Sequence, residues 1–156
     1  MAIKKIINHS KLYLFFITKI PLITLCFPQI KKLTNASCHL YIPLTFFTKN
    51  HVKSMYFGVL MVGVDLSAGL LAMDLIKKSK QTISIIFKDT AAQFLKRANH
   101  GVRFECNEGN TIQKMINSTL TTKERCNKTL TVTGYCNKTN ETVATFSITL
   151  SIKVKT

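Results

Sequence analysis

The sequence predicts an α+β domain in which an antiparallel sheet wraps one long buried helix, and three observations carry that prediction. Residues 56–75, YFGVLMVGVDLSAGLLAMDL, are almost wholly apolar and free of proline; such a run is too long for a strand and apolar all round, as a buried helix is. From residue 82 onward the pattern changes to short segments of alternating apolar and polar residues, which is how half-buried antiparallel strands read. The order helices, strand, long helix, run of strands segregates the two kinds of element, as α+β layouts do. With 156 residues, 46% of them hydrophobic, the chain supplies one core, and residues 1–156 read as a single domain with a helical N-terminal segment over about 1–35.

Taken in order, the elements begin with MAIKKIINHSKLYLFFITKIPLITLCF, basic and then apolar as a signal peptide is. Lys19 and Pro21 split its apolar run, no small-residue cleavage site follows, and the stretch is too interrupted for a membrane span of about 20 residues. The expectation is short amphipathic helices between Leu12 and Leu33, punctuated by Pro21 and Pro28, in a cytoplasmic protein. CHLYIPLTFF, residues 38–47, is rich in aromatic and β-branched residues and reads as a strand, with Pro43 marking an edge or a bulge. Thr48 to His51 make a polar break. The long helix follows from Tyr56 to about Lys78, and Lys77, Lys78 and Lys80 suit the negative pole of its dipole. Strands are expected at 82–88, 90–98 and 101–106, a helix opening at Gly109-Asn110 and running through TIQKMINSTL, and closing strands at 130–138 and 142–155.

Twenty-two Lys and Arg against 7 Asp and Glu give a formal charge of +15, which favours an anionic partner: nucleic acid, acidic lipid, or a phosphate-bearing ligand. The lysines are spread from Lys4 to Lys155 without a block, and no RNP-like or zinc-finger pattern accompanies them, so nucleic acid is not expected. Cys26, Cys38, Cys106, Cys126 and Cys136 have no CxxC spacing and are odd in number; they read as reduced thiols rather than a zinc site or a disulfide framework. Asn-X-Ser/Thr triplets, at Asn35, Asn117, Asn127, Asn137 and Asn140 among others, arise by chance in a chain this rich in Asn, Thr and Lys. No metal is implied, and no Gly-rich phosphate loop or Ser-His-Asp pattern is present.

The central segment has a finer pattern. Asn50 stands six residues before Tyr56-Phe57-Gly58, and Asp65 stands nine after Tyr56. This spacing, together with FKDTAAQFLKRANHGVRFEC at 87–106 as the strand pair after the helix, resembles the hotdog-fold thioesterase-like family related to the phenylacetate-pathway thioesterases. In those proteins a curved antiparallel sheet wraps one long central helix. There an Asn precedes a His-Gly-Gly triplet by six, and an Asp or Glu on the helix follows the His by nine. The present chain looks like a branch with Tyr-Phe-Gly in the triplet position, and the resemblance covers about residues 12–155, nearly the whole chain.

The resemblance implies hydrolysis of an acyl thioester, acyl-CoA above all, at the interface of a homodimer or homotetramer, with coenzyme A as part of the substrate and no separate cofactor. It implies a backbone amide at Gly58 to hold the thioester carbonyl, Asp65 as general base or nucleophile, and Asn50 to orient the water or the carbonyl. Tyr56 and Phe57 would shape the carbonyl pocket, and Lys88, Lys96, Arg97 and Arg103 would anchor the phosphates of coenzyme A. Unpaired amides at a helix N-terminus suit a developing oxyanion. Seven residues of helix separate Gly58 from Asp65 by about 10 Å, so the two are expected to act on one carbonyl only across a two-fold axis. Burial among Val62, Val64, Leu66 and Leu70 should raise the Asp65 pKa.

Each residue also has a structural reading. Asp65 could be satisfied by a buried hydrogen bond or a lysine, Gly58 could serve close packing, Asn50 could cap a turn, and the cations could be a solvated strand face. With Tyr in place of the His, a non-catalytic domain that binds an acyl thioester or fatty acyl ligand is the first alternative. A protein attached to acidic lipid by its basic N-terminal helices is the second, although membrane association is not what the interrupted apolar run leads one to expect.

Overall fold

The computed structural model describes residue 14 and residues 17–155; the basic opening of the chain lies outside the described residues. From Pro21 onward the elements are, in order, α1 (Pro21–Thr24), β1 (Gln29–Leu33), β2 (Cys38–Ile42), α2 (Phe57–Ser79), β3 (Ile83–Phe94), β4 (Val102–Cys106), α3 (Gly109–Thr122), β5 (Cys126–Cys136) and β6 (Thr142–Val154). The strands form one six-stranded sheet in the order β1-β2-β4-β5-β6-β3, with every neighbouring pair antiparallel. The α+β layout is thus an antiparallel sheet around a central helix.

That helix is α2, 23 residues long. It is long and apolar enough to cross a bilayer, but 67% of its most apolar window is buried inside the fold, so it is the core helix of the domain. Val59, Leu60, Val64, Leu71, Ala72 and Leu75 pack against alternate residues of the sheet: Cys38, Leu40 and Ile42 of β2, Val102, Phe104 and Cys106 of β4, Leu130 and Val132 of β5, and Phe146, Ile148 and Leu150 of β6. Period-two strands thereby present one apolar face to the helix. Closest approach occurs at Gly63, where a β-carbon would fall 2.3 Å from the Phe104 ring. Helix α3 covers the same core with Ile112, Met115 and Ile116, leaving its polar face to water. Lys77 and Lys78 sit in the last turn of α2, and Lys80 ends it in the left-handed region at φ 58°.

Several boundaries differ from the sequence reading, each for a physical reason. Residues 29–33 fall within the span expected to be helical, Leu12 to Leu33; they form β1 instead, and a bulge between Ile30 and Lys32 turns both apolar side chains inward. The strand expected over 38–47 ends at Ile42, directly before Pro43, and it is an interior strand between β1 and β4. Proline therefore terminates it rather than marking an edge. The two strands expected at 82–88 and 90–98 are one, β3, whose pairing with β6 shifts by a bulge between Phe87 and Thr90. Strand β5 begins at Cys126, earlier than expected, because its first half is mostly exposed and shows no apolar alternation.

Candidate functional site

The chain reaches α2 through a firmly tied loop. The Thr48 hydroxyl accepts from the Thr45 amide (2.7 Å) and donates to the Pro43 carbonyl (2.7 Å), and Thr48 is fully buried. Its own carbonyl accepts the Tyr56 amide (2.9 Å), and the Met55 amide donates to Ala98 (2.9 Å), tying the loop to the segment after β3. The Asn50 side-chain oxygen accepts from the Val52 and Ser54 amides (3.1 Å each) and from the Ser54 hydroxyl (3.2 Å). Asn50 thus closes a turn through its carbonyl oxygen, and the residue lines a cleft.

This loop delivers Tyr56 to the N-cap of α2 in an extended conformation, with no side-chain cap and no acidic residue in the first turn. The Val59 and Leu60 amides donate to the Tyr56 carbonyl, but those of Phe57 and Gly58 meet no acceptor among the described residues. The helix start therefore carries two unpaired donors and the positive end of a 23-residue dipole. Above it lies the Tyr56 ring, which would stand 2.6 Å from a β-carbon at Gly58, with Phe57 packed edge-on at 4.9 Å between centroids. A side chain at Gly58 would oblige the exposed Tyr56 ring to swing aside.

A cleft of about 320 Å³ opens beside this N-terminus and is lined by Asn50, Tyr56, Phe57, Phe94, Lys96 and Arg97 among others. Lys96 is ion-paired with Glu141, whereas Arg97 is exposed with no salt bridge among the described residues. The other two expected phosphate anchors stand elsewhere. Lys88 is exposed at the bulge of β3. Arg103 lies on the outer face of the sheet, bonded to Glu105 (2.7 Å) and Asn140 (2.7 Å) and stacked over the Tyr135 ring, so its guanidinium is already occupied.

Asp65 lines a second cleft, of about 270 Å³, between α2 and β3, where its neighbours are apolar: Leu66, Leu70, Met73, Ile85 and Phe87 among them. Half-buried, it has neither a hydrogen bond nor an ion pair among the described residues, and burial pushes its carboxyl above the ordinary carboxylate range. A carboxylate kept in an apolar wall without a partner is costly unless something polar visits it. It stands seven residues along α2 from Gly58, about 10 Å away at 1.5 Å per residue. Within one chain, then, Asp65 and the start of α2 border separate clefts.

Sequence reasoning passed over Thr48, which holds the approach to the helix, and Phe94, which walls the first cleft. Threonine three residues after Thr45 is the visible trace of the first; the second could only be found from the pairing of β3. Among the described residues no group of three His, Cys, Asp or Glu gathers at one place.

Comparison with known proteins agrees with this architecture. A model of the domain of unknown function DUF4442 matches residues 9–152. No curated protein matches the sequence. Among solved structures, a protein of Shewanella oneidensis named "putative thioesterase" superposes with a TM-score of 0.78 at 16% identity, covering 94% of this chain and 96% of that one. A protein of unknown function from Chlorobaculum tepidum also gives 0.78, at 13% identity and 94% coverage of each chain. A thioesterase from Haemophilus influenzae gives 0.69 at 13% identity, covering 90% of this chain and 88% of that one. With its sheet, its central helix and these neighbours, the chain has the hotdog fold of thioesterase-like proteins and belongs to the DUF4442 family.

Proposed function

We propose that the protein hydrolyses an acyl thioester, with acyl-CoA as the first candidate substrate, at the interface of a two-fold homodimer in the cytoplasm. One observation carries the reading: an unpartnered, half-buried Asp65 and an uncapped helix start with two unpaired amides share one helix, about 10 Å apart. Two copies related by a dyad would set the Asp65 of each opposite the Phe57-Gly58 amides of the other and so form two equal sites. A role for β3 in that interface is supported by its position at one end of the sheet, with one side unpaired, and by the exposure of Ile86 and Phe94 on it.

In such a site Asp65, its proton affinity raised by burial, takes a proton from water as the water attacks the thioester carbon. The oxyanion is received by the Phe57 and Gly58 amides, and the thiolate departs as the tetrahedral intermediate collapses. Attack by the carboxylate itself, through an anhydride, uses the same groups. Asn50 can orient the water with its unengaged amide, and Lys96 and Arg97 border the cleft where phosphates of coenzyme A would lie. Haemophilus influenzae thioesterase shares the fold, which supports the substrate class by analogy alone.

A second reading is favoured by the Tyr56 ring, which packs against Gly58 at the helix start the first reading needs. In it the domain binds an acyl thioester or a fatty acyl ligand without cleaving it. The deciding experiment is thiol release from short, long and aromatic acyl-CoAs by the wild type beside Asp65→Asn. Turnover that disappears in Asp65→Asn while the oligomer persists supports hydrolysis. Ligand binding without turnover in the wild type supports the second reading.

A further inference from the structure

The seven acids of the chain all stand at or after Asp65. Residues 1–64 hold eight lysines and no aspartate or glutamate, a charge asymmetry between halves that points to an anionic surface as partner.

Within the described part of that half lies an unusual apolar tip. The turn closed by buried Thr48 carries Phe46 and Phe47 at its apex, 78% and 60% exposed. Tight turns present Gly, Asn, Asp or Ser to water for conformational reasons; here a well-bonded turn presents two phenylalanines. Phe27, three residues past the end of α1, meets them, its ring centroid 6.2 Å from that of Phe47, and Phe27 is itself held at φ 50°, a conformation that a bulky L-residue adopts only under constraint. Leu22 of α1 and Leu25 just after it are exposed as well. Two separate segments therefore converge, one of them through a strained backbone, to expose apolar side chains. Lys49 lies over the Phe46 ring at 5.6 Å, and Lys53 is exposed in the next turn.

Aromatic side chains flanked by lysines, in a half of the chain that holds no acid, are the composition of an interfacial membrane contact. We infer that the Phe27, Phe46 and Phe47 tip docks the protein reversibly on an anionic lipid bilayer, the rings entering the headgroup boundary and Lys49 and Lys53 pairing with lipid phosphates. The interrupted N-terminal apolar run argues against crossing a membrane and leaves surface attachment open. The contact uses the folded tip, and it does not depend on the thioesterase reading.

The chain has no tryptophan, so Phe47→Trp makes a single fluorescent reporter. With vesicles of phosphatidylcholine and phosphatidylserine its emission should shift to the blue and be quenched by bromine-labelled acyl chains; with phosphatidylcholine alone neither should occur. In co-sedimentation with the same vesicles, Lys49→Glu/Lys53→Glu should lower the partition constant by about tenfold or more. Phe46→Ser/Phe47→Ser should abolish binding while thermal unfolding is unchanged. Failure of the wild type to sediment with anionic vesicles at low salt overturns the inference. So does equal binding by wild type and Phe46→Ser/Phe47→Ser, which would assign any lipid affinity to another surface. A wild type that binds no vesicles, together with a fall in oligomeric mass in Phe46→Ser/Phe47→Ser, would overturn the inference and assign the tip to contact between copies instead.

Discussion

Adding one methyl group at Gly63 should cost the protein more stability than the helix gains from losing a glycine. In an exposed helix, Gly→Ala is worth about 1 kcal/mol of propensity, and burying the methyl adds about 0.8 kcal/mol. At this position the β-carbon would lie 2.3, 2.4 and 2.6 Å from three atoms of the Phe104 ring, and Phe104 is fully buried, with Phe146 as a neighbour. To restore ordinary contact the ring must retreat by about 1 Å into a close-packed interior, or α2 must lift off the sheet. Overpacking costs up to about 3 kcal/mol, and expelling a phenylalanine from a core costs about 3–5 kcal/mol. The balance is a net loss of about 2 kcal/mol for Gly63→Ala, or a fall of about 4–8 °C in Tm for a domain of this size. Urea and thermal unfolding of Gly63→Ala, Phe104→Leu and the double variant measure it. Because Phe104→Leu removes the obstacle, the double variant should be more stable than the sum of single losses allows, with a coupling of about 1–2 kcal/mol. A Gly63→Ala protein that melts higher than wild type, or single losses that add within about 0.5 kcal/mol, would refute the reasoning that this contact sets the height of α2 above the sheet.

Further expectations concern the two clefts and the loop between them. Asp65→Asn should lower kcat for thioester hydrolysis by about 10²–10⁴-fold with little change in KM, and the wild-type rate should rise with pH through a pKa above the ordinary carboxylate range, as burial dictates. The same burial makes Asp65 a liability to folding: its folded pKa exceeds its unfolded one, so the penalty is absent at low pH, grows as pH passes the unfolded pKa, and is full above the folded pKa. Asp65→Asn should therefore melt higher than wild type at pH 8, and the difference should vanish near pH 3. Thr48→Val keeps the volume but strands the Pro43 carbonyl and the Thr45 amide; a loss of about 1–3 kcal/mol in urea unfolding is expected. Tyr56→Ala removes the ring packed against Gly58, and a rise in kcat for thiol release would show that the phenol, rather than a missing catalytic group, limits turnover.

The long helix, the alternating strands and the segregation of the two were legible because each has a periodicity that burial imposes, and α2 was located to within about one residue at each end. What escaped was set by pairing. Ile30 and Leu33 are spaced as on a helix, and only the bulge across from β2 makes that spacing a strand. Asp89 looked like a break, yet β6 carries β3 past it as one strand. At the site, the sequence put Asn50, Tyr56 and Asp65 in view through spacing within one segment. It could not tell that Arg103 points to the outer face toward Glu105 and Asn140, since face depends on register with β2 and β5. Nor could it tell that the Tyr56 ring folds back over Gly58, which is a matter of side-chain direction at the N-cap.

The position of β6 has a consequence for how the protein comes into being on the ribosome. Strand β3 finds its partner in β6, so that Ile83 waits for Val154 and Phe94 for Ala144. During synthesis the apolar helix α2 and the exposed strand after it emerge well before the strand that joins them to β5. Until then the half-made sheet has an unpaired segment twelve residues long carrying Ile85, Ile86 and Phe87, the kind of nascent edge that trigger factors and other holding chaperones cover. Non-local pairing of this sort also slows closure once the whole chain is free. A stop codon anywhere within β6 would thus release a chain whose helix is formed by its own sequence but whose sheet has no means of closing around it.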